Sequence, residues 1–184
     1  ARDLRGLRAR LRLTSALVLL AFVTCHLSAH SLLLLSQPFA EEGLAALMRP
    51  WRSDAGSALL VTAFLVHYAN ALWSVYERRS LRLNAWEWAQ LGLGLCIPAL
   101  FALHIASTRL AEATMGIDTG YGYVLVEYWV VAPYVAVLQA VALLTLWAHA
   151  GIGIHFWLRT KAWYPQGRVW LGAFALLLPT LALS

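Results

Sequence analysis

Five long apolar stretches dominate this chain of 184 residues. They run at about 13–36, 57–76, 88–108, 129–158 and 169–184. The first four each hold roughly 20 residues or more, enough for a helix to cross the ~30 Å hydrocarbon core of a bilayer. Hydrophobic residues make up 61% of the sequence and charged residues 12%, a composition typical of integral membrane proteins. The sequence therefore predicts an all-α transmembrane helical bundle with five visible spans.

Basic residues are concentrated in the N-terminal arm and in every second loop. The arm (1–12), the 77–87 loop and the 159–168 loop hold eleven Lys and Arg, whereas the alternate loops hold three. The positive-inside rule therefore predicts a cytoplasmic N-terminus, with 1–12 as a basic cytoplasmic arm and 13–184 as the membrane bundle. The arm is explained as a topology signal, and nucleic acid is not an expected partner.

All six histidines fall within the apolar stretches. They are His26, His30, His67, His104, His149 and His155. An ionisable side chain inside a span is costly unless it is paired, so each of them is a functional candidate. A single such histidine commonly forms one hydrogen bond to a neighbouring helix, but here four successive stretches each carry at least one.

Haem chemistry accounts for histidines in this arrangement. Neutral imidazole is a common axial ligand of haem iron, and two haems need two pairs of histidines, each pair at one depth. His67 precedes Arg78 by 11 residues and His149 precedes Arg159 by 10. At the rise of an α-helix, the two histidines lie about 16 and 15 Å from the cytoplasmic edge. We therefore expect them to share one haem.

Small and basic residues accompany this first pair. Ala71 and Gly153, each four residues after its histidine, lie about 40° round the same helical face and leave room for a flat macrocycle. Arg109 is a basic residue at the external edge. The basic residues that can neutralise haem propionates at the cytoplasmic edge are Arg78, Arg79, Arg159 and Lys161.

A second pair is expected from the first and third stretches. Measured from the cytoplasmic edge, His104 lies about 26 Å up its helix, His30 about 27 Å and His26 about 21 Å. Depth alone therefore favours His30 as the partner of His104. Pro98 can kink the third stretch and blur this measure, so both histidines stay candidates.

The sequence lacks the residues that a zinc site, a thiolate metal site or a catalytic motif would need. His26 and His30 have a spacing that suits zinc, but the same stretch offers no third ligand and no general-base carboxylate. Cys25 and Cys96 both lie in apolar stretches, where neither a disulfide nor a thiolate metal site is expected. No phosphate-binding loop or nucleophile motif is present, so no catalytic residue is assigned in these 184 residues.

The histidine-bearing stretches resemble a known family. The segments "FVTCHL", "VHYANALWSVY", "LHIASTR" and "AHAGIGIHFW" are similar to the di-haem cytochrome b anchor of succinate dehydrogenases and fumarate reductases. The resemblance implies two haem b groups, with His26 and His104 as ligands of the outer haem and His67 and His149 of the inner haem. His30 and His155 then stand beside this set, as alternative ligands or as residues that bond near the haems.

A narrower resemblance concerns two further segments, the longer of which includes the whole third apolar stretch. "HFWLRTKAWYP" and "ERRSLRLNAWEWAQLGLGLCIPALFALHIASTR" are similar to the membrane domain of bacterial class III adenylyl cyclases. This resemblance implies that a sixth span, a ferredoxin-like domain and a cyclase domain follow Ser184. It also implies a homodimeric lyase in the bacterial inner membrane, in which the redox state of haem and quinone regulates cyclic AMP synthesis.

The alternative function is that of a respiratory anchor. In that case the chain passes electrons between an iron–sulfur and flavoprotein partner and quinone. A haem-free helical anchor is the third possibility. Membrane lipid and quinone are expected partners in both redox functions. The candidate quinone-site residues, near the outer haem, are His30, Arg109, Tyr128 and Trp129.

Overall fold

The computed structural model describes residues 2–80 and 82–184. Ala1 and Leu81 lie outside this description, as do the side chains of Arg2, Asp3 and Arg5. The predicted basic arm (1–12) is therefore described only in part. Throughout the described ranges the chain is helical, with short connecting segments and no strand.

The described residues form eight α-helices. They are α1 (Arg2–Ser31), α2 (Gln37–Arg52), α3 (Asp54–Tyr76), α4 (Ala85–Ile105), α5 (Ala111–Met115), α6 (Tyr121–Val126), α7 (Pro133–Leu158) and α8 (Tyr164–Leu183). A 3₁₀ turn, Leu32–Leu34, follows α1. Two π-helical turns, Ala106–Leu110 and Glu127–Val131, follow α4 and α6.

Five helical segments are long and apolar enough to cross a membrane. They are Gly6–Leu34, Asp54–Tyr76, Ala85–Met115, Pro133–Leu158 and Tyr164–Leu183. In each of them, at most 22% of the most apolar 18-residue window is buried inside the protein, so the apolar surface is largely outward-facing. Contiguous apolar surface of this kind is typical of membrane or protein contact rather than of contact with water. The prediction of an all-helical chain with five helices of spanning length is confirmed.

Polar caps define where two of these helices begin. Ser53 precedes α3, and its hydroxyl accepts a hydrogen bond from the N–H of Gly56 at 3.1 Å. Asn84 precedes α4 and forms a capping box with Glu87, in which each side chain accepts the other residue's backbone N–H at 3.0 Å. These bonds satisfy N–H groups that have no partner within the first helical turn.

Two helices are longer than the hydropathy pattern predicts. The last apolar stretch begins near residue 169, but α8 begins at Tyr164 and reaches 20 residues. Pro165 lies in its first turn, where the missing N–H of proline costs no hydrogen bond. The segment at 40–50, which lies outside the apolar stretches, belongs to the 16-residue helix α2.

The chain divides into two compact units, and the first comprises 1–29 and 42–82. Within it, the Phe22 ring of α1 lies edge-on to Trp51 of α2, with centroids 5.6 Å apart. At the other end of α1, Arg8 Nη1 lies 2.7 Å from Glu77 Oε1, just after α3. Aromatic packing and an ion pair thus join the helices of this unit.

The second unit comprises 30–41 and 83–184. Within it, α4 packs along α7, and α7 packs against α8. Trp147 Nε1 of α7 donates a hydrogen bond to the Ala175 carbonyl of α8 at 2.6 Å. The helical partner of that carbonyl would be the N–H of residue 179, which is proline, so the indole supplies a donor that α8 itself lacks.

We predict that Gly56→Ala destabilises the first unit. A Cβ at this position would collide with the Pro50 carbonyl oxygen, and the obstructing atoms are backbone. Such overpacking typically costs about 1–3 kcal/mol, more than the ~1 kcal/mol that alanine gains over glycine in a helix. Thermal unfolding of the detergent-solubilised protein, followed by circular dichroism, should show a lower midpoint.

The matched control is Gly172→Ala in α8. A Cβ at Gly172 would meet no described atom within 4 Å, so this variant should unfold at the wild-type temperature or above it. Equal midpoints for Gly56→Ala and Gly172→Ala would contradict the close approach of Pro50.

Candidate functional site

The chain around His104 forms a π-helical turn. Helix α4 ends at Ile105, and Ala106–Leu110 continues it as a π-helix. The hydroxyls of Thr108 and Ser107 donate to the His104 carbonyl at 2.6 and 3.4 Å. Turns of this type are rare and occur frequently at functional sites, since they redirect the side chains next to them.

Tyr128 lies in the second π-helical turn and contacts His104. Its Oη lies 2.9 Å from Ser107 Oγ and 3.4 Å from His104 Nδ1. The Tyr128 side chain is buried and packs in one cluster with Val135 and Ala136. The two π-helical turns therefore meet at the imidazole of His104.

His30 and Tyr121 extend this site. Their rings lie edge-to-face with centroids 5.3 Å apart, and His30 lies close enough to His104 for an electrostatic interaction between them. The Tyr121 N–H donates to Glu41 Oε1 at 2.6 Å. We call His30, His104, Ser107, Tyr121 and Tyr128 the His104 cluster.

Burial raises the pKa of both tyrosines in the His104 cluster. For Tyr121, the neighbouring Glu41 carboxylate raises the pKa further, because it disfavours a second negative charge. For Tyr128, the hydrogen bond with Ser107 acts in the opposite direction, but burial is the larger effect on its pKa. Both phenols therefore stay neutral at pH 7 and keep a proton to donate.

His149 of α7 packs against α4. Its Nδ1 lies 2.9 Å from the Gln90 carbonyl oxygen, and its Nε2 lies 3.5 Å from the Gln90 side-chain amide nitrogen. A Cβ on Gly94 would lie 2.6 Å from His149 Cε1, so the imidazole fits against α4 only because residue 94 is glycine. A Cβ on Gly153 would lie 3.2 Å from the Gln90 amide, which places Gly153 beside the same contact.

His67 of α3 contacts α1. Its Nδ1 lies 3.3 Å from the Arg12 carbonyl oxygen and 3.4 Å from Ser15 Oγ. Ser15 is buried and also donates to the Leu11 carbonyl at 2.7 Å. Ala71, one turn after His67, is half-buried. His67 is therefore held by a carbonyl and a hydroxyl of one helical turn.

The other two histidines have aromatic neighbours. Phe22 lies one turn before His26 and stacks on it, with centroids 5.7 Å apart and an interplanar angle of 12°. His155 is exposed, and its Nδ1 lies 2.7 Å from the Tyr164 hydroxyl at the start of α8. His155 thus bonds a neighbouring helix through its ring.

The predicted basic residues lie at helix ends and in loops. The Arg159 guanidinium lies over the Phe156 ring, 5.1 Å from its centroid. Arg109 Nη1 lies 3.9 Å from Glu112 Oε2. The remaining basic candidates are exposed: Arg78, Arg79 and Lys161.

The four predicted haem ligands are divided between the two units, whereas two of the predicted quinone-site residues lie in one cluster. His26 and His67 belong to the first unit, and His104 and His149 belong to the second. Of the predicted quinone-site residues, His30 and Tyr128 join the His104 cluster. The side chain of Trp129 is 66% exposed, and Arg109 pairs with Glu112.

Several contacts of the histidines were missed by the sequence analysis. Gln90 and Gly94 hold His149, and their spacing of four residues places them on one face of α4. Ser107 and Tyr121 complete the His104 cluster. The spacing of Gln90 and Gly94 indicates that they share one face of α4, but not that this face meets His149. The approach of Tyr121 to His30 depends on a turn that hydropathy does not reveal.

No family model, no curated protein and no solved structure matches this chain. Within residues 2–80 and 82–184, no three His, Cys, Asp or Glu side chains are grouped so that they could hold a metal ion. A haem iron takes only two axial ligands from the protein, so a site of that type needs no such group. The function is therefore inferred from the histidines and their neighbours.

We predict that the free energy of unfolding falls less steeply with rising alkaline pH in Tyr121→Phe than in the wild type. Because the pKa of Tyr121 is raised in the folded state, its contribution to stability is complete below the unfolded pKa of about 10. That contribution is lost as pH rises through the higher folded pKa. Chemical unfolding between about pH 9 and 12 should show a shallower decline for Tyr121→Phe than for the wild type.

Tyr76→Phe is the matched control, because the Tyr76 side chain is 82% exposed. A decline equally steep in Tyr121→Phe and in the wild type would contradict the burial of this phenol beside Glu41.

Proposed function

We propose that this chain is a di-haem b membrane domain in which the redox state of haem and quinone regulates an attached adenylyl cyclase. The observation that carries the haem proposal is the set of oxygen atoms at three histidine Nδ1 atoms. His67, His104 and His149 each have Nδ1 within 3.4 Å of an oxygen that can accept a hydrogen bond.

Backbone carbonyls select the tautomer of two of these histidines. A carbonyl oxygen only accepts, so the Arg12 and Gln90 carbonyls favour a proton on Nδ1 of His67 and of His149. The lone pair then lies on Nε2. Histidines that bind metal commonly donate their other ring N–H in this way, which sets the ring orientation and strengthens the ligand.

His104 can also carry its proton on Nδ1, because a hydroxyl group there can accept it. Tyr128 can accept from His104 Nδ1 while it donates its own proton to Ser107 Oγ, which in turn donates to the His104 carbonyl. The raised pKa of Tyr128 keeps the phenol in the neutral form that this series of hydrogen bonds requires. These residues therefore fit a neutral imidazole ligand.

The pairing of ligands rests on the sequence resemblance. His26 with His104 would hold the outer haem b, and His67 with His149 the inner one. Bound haem would supply one-electron redox chemistry. Near His149 the Gln90 amide now lies 3.5 Å from Nε2, so its side chain would have to turn away when iron binds that nitrogen.

Other residues of the chain would shape the surroundings of the haems. Ala71 and Gly153 would leave space beside the inner one. Basic side chains would neutralise the propionates: Arg78, Arg79, Arg109, Arg159 and Lys161.

The quinone proposal is supported by the His104 cluster. A quinone carbonyl needs hydrogen-bond donors, and Tyr128 and His30 both lie beside His104. Tyr128 would turn its proton from Ser107 Oγ to the quinone. Arg109 and Trp129, at the same helix ends, complete the proposed quinone-site residues. Regulation of a cyclase is supported by the segments 77–109 and 155–165, which resemble the membrane domain of class III adenylyl cyclases.

A respiratory anchor is the second candidate, because the four histidine-bearing segments resemble that family as well. It uses the same haem ligands and differs in its partners. Purification of the natural full-length protein distinguishes the two. Cyclic AMP formation that changes with added quinol supports regulation of a cyclase, whereas co-purified flavin and iron–sulfur subunits support the anchor.

We predict that His67→Ala and His149→Ala each remove one haem and leave the other. Each deletes an axial ligand of the inner haem, while both outer ligands stay in place. Reduced-minus-oxidised spectra of the purified protein, together with quantification of haem per chain, should show half the wild-type content. His155→Ala is the control and should keep full content, because His155 bonds Tyr164.

Loss of both haems or of neither in these single variants would refute the pairing. A wild-type protein that is folded but lacks b-type absorption bands when expressed with adequate haem would refute haem binding altogether.

We also predict that Tyr128→Phe raises the reduction potential of the outer haem alone. Removal of the phenol deletes the oxygen at His104 Nδ1, so the imidazole becomes a weaker electron donor to ferric iron. Haem retention should also fall, by up to about 10–100-fold in affinity. A spectroscopic redox titration measures both haems in one sample.

Tyr134→Phe is the matched control, because that side chain is 71% exposed. Unchanged potentials in Tyr128→Phe would show that Tyr128 does not act on the ligand.

A further inference from the structure

A cavity of about 160 Å³ lies between α1 and the C-terminal end of α3 in the first unit. A single water molecule needs about 10–15 Å³ on the same measure, so the cavity has room for a group of several heavy atoms. Its lining residues with polar or aromatic side chains are Arg8, Arg12, Asn70, Trp73, Ser74 and Glu77.

The cavity carries an excess of positive charge. Arg8 Nη1 lies 2.7 Å from Glu77 Oε1, so the one acidic group of the lining is already paired. The Arg8 guanidinium also lies over the Trp73 ring, 4.8 Å from its centroid, which orients it further. The second guanidinium of the lining, that of Arg12, leaves a net positive charge.

Hydrogen-bond donors outnumber acceptors in the lining. A guanidinium has five N–H donors, of which Arg8 uses few on Glu77. The Asn70 amide donates one N–H to the Val66 carbonyl at 2.8 Å, which orients the amide and leaves its other N–H for a ligand. Ser74 adds a hydroxyl. Such a donor set matches an oxyanion, because charge-assisted hydrogen bonds to phosphate are stronger than neutral ones.

The cavity lies at the ends of two candidate spans. Arg8 and Arg12 are near the start of Gly6–Leu34, and Trp73 and Ser74 are near the end of Asp54–Tyr76. The Trp73 side chain is 47% exposed, as expected for an indole at a bilayer interface. Basic pockets between spanning helices on the cytoplasmic side are known binding sites for anionic lipid headgroups.

We propose that this cavity binds the phosphodiester of an anionic phospholipid in the leaflet that faces the basic arm. Arg12 and the unpaired edge of Arg8 contact the phosphate oxygens, Asn70 and Ser74 add neutral donors, and Trp73 lies at the level of the glycerol backbone. None of the six histidines lines the cavity, although the carbonyl of Arg12 contacts His67.

Native mass spectrometry of the intact chain in detergent tests the proposal. The protein is titrated with phosphatidylglycerol and, in parallel, with phosphatidylcholine. We expect tighter binding of phosphatidylglycerol, and a loss of about fivefold in its affinity for Arg12→Gln, since one basic residue near the headgroup contributes about 1 kcal/mol. Arg12→Lys, which keeps the charge, should lose less.

Arg10→Gln is the matched control, because Arg10 is exposed on the same helix and does not line the cavity. An equal loss in Arg10→Gln and Arg12→Gln would overturn the site in favour of diffuse attraction to the arm. Displacement of phosphatidylglycerol by millimolar inorganic phosphate would overturn the lipid in favour of a soluble oxyanion. Equal affinity of the unaltered protein for both lipids would overturn the proposal without any variant.

Discussion

Hydrogen bonds at histidine Nδ1 are the interactions on which the polar interior of this protein depends. The hydrocarbon core of a bilayer offers no water, so a ring nitrogen on a membrane-spanning helix needs a polar atom of a neighbouring helix. Carbonyls of α1 and α4 do so for His67 and His149, and a tyrosine of the second π-helical turn does so for His104. Each bond joins two helical segments, and the two carbonyls also select which ring nitrogen of His67 and of His149 keeps its lone pair. The same contacts thus contribute to packing and prepare the chemistry proposed for these residues.

The two π-helical turns explain how a tyrosine reaches His104. An α-helix continued past Ile105 would place the residues after it at a rotation of 100° each, whereas a π-helical turn accommodates an extra residue. Ser107 thereby bonds Tyr128, and Tyr128 in turn lies in a π-helical turn of its own. Glycine at 120 lets the chain approach Glu41, since a Cβ there would lie 3.0 Å from both carboxylate oxygens. Tyr121, the next residue, approaches His30 because the chain passes close to Glu41 at Gly120.

Hydropathy predicted the five long helices because spanning length and apolar composition are properties of single segments. The capping box at Asn84 and Glu87 was not predicted, although the spacing of three residues between them is a local signal. The start of α8 was not, because Tyr164 and Pro165 belong to a polar flank that hydropathy assigns to the loop. The choice between His26 and His30 was beyond a measure of depth, since depth along each helix fixes neither the tilt of the helices nor the face on which each histidine lies. Contacts such as His149 with Gly94 depend on how two helices are rotated against each other, which spacing in one helix does not determine.

Arg12 connects the two proposed sites through different atoms. Its carbonyl oxygen lies 3.3 Å from His67 Nδ1, while its guanidinium lines the cavity at the start of the first span. A change of the side chain keeps the carbonyl and removes a positive charge that also acts on His67. The backbone of α1 is shared, however, and a headgroup that pulls on the guanidinium acts on the same residue whose carbonyl holds the imidazole. Hydrogen bonds to a ligating imidazole tune its basicity, so occupancy of the cavity has a direct physical path to the potential of a haem held by His67.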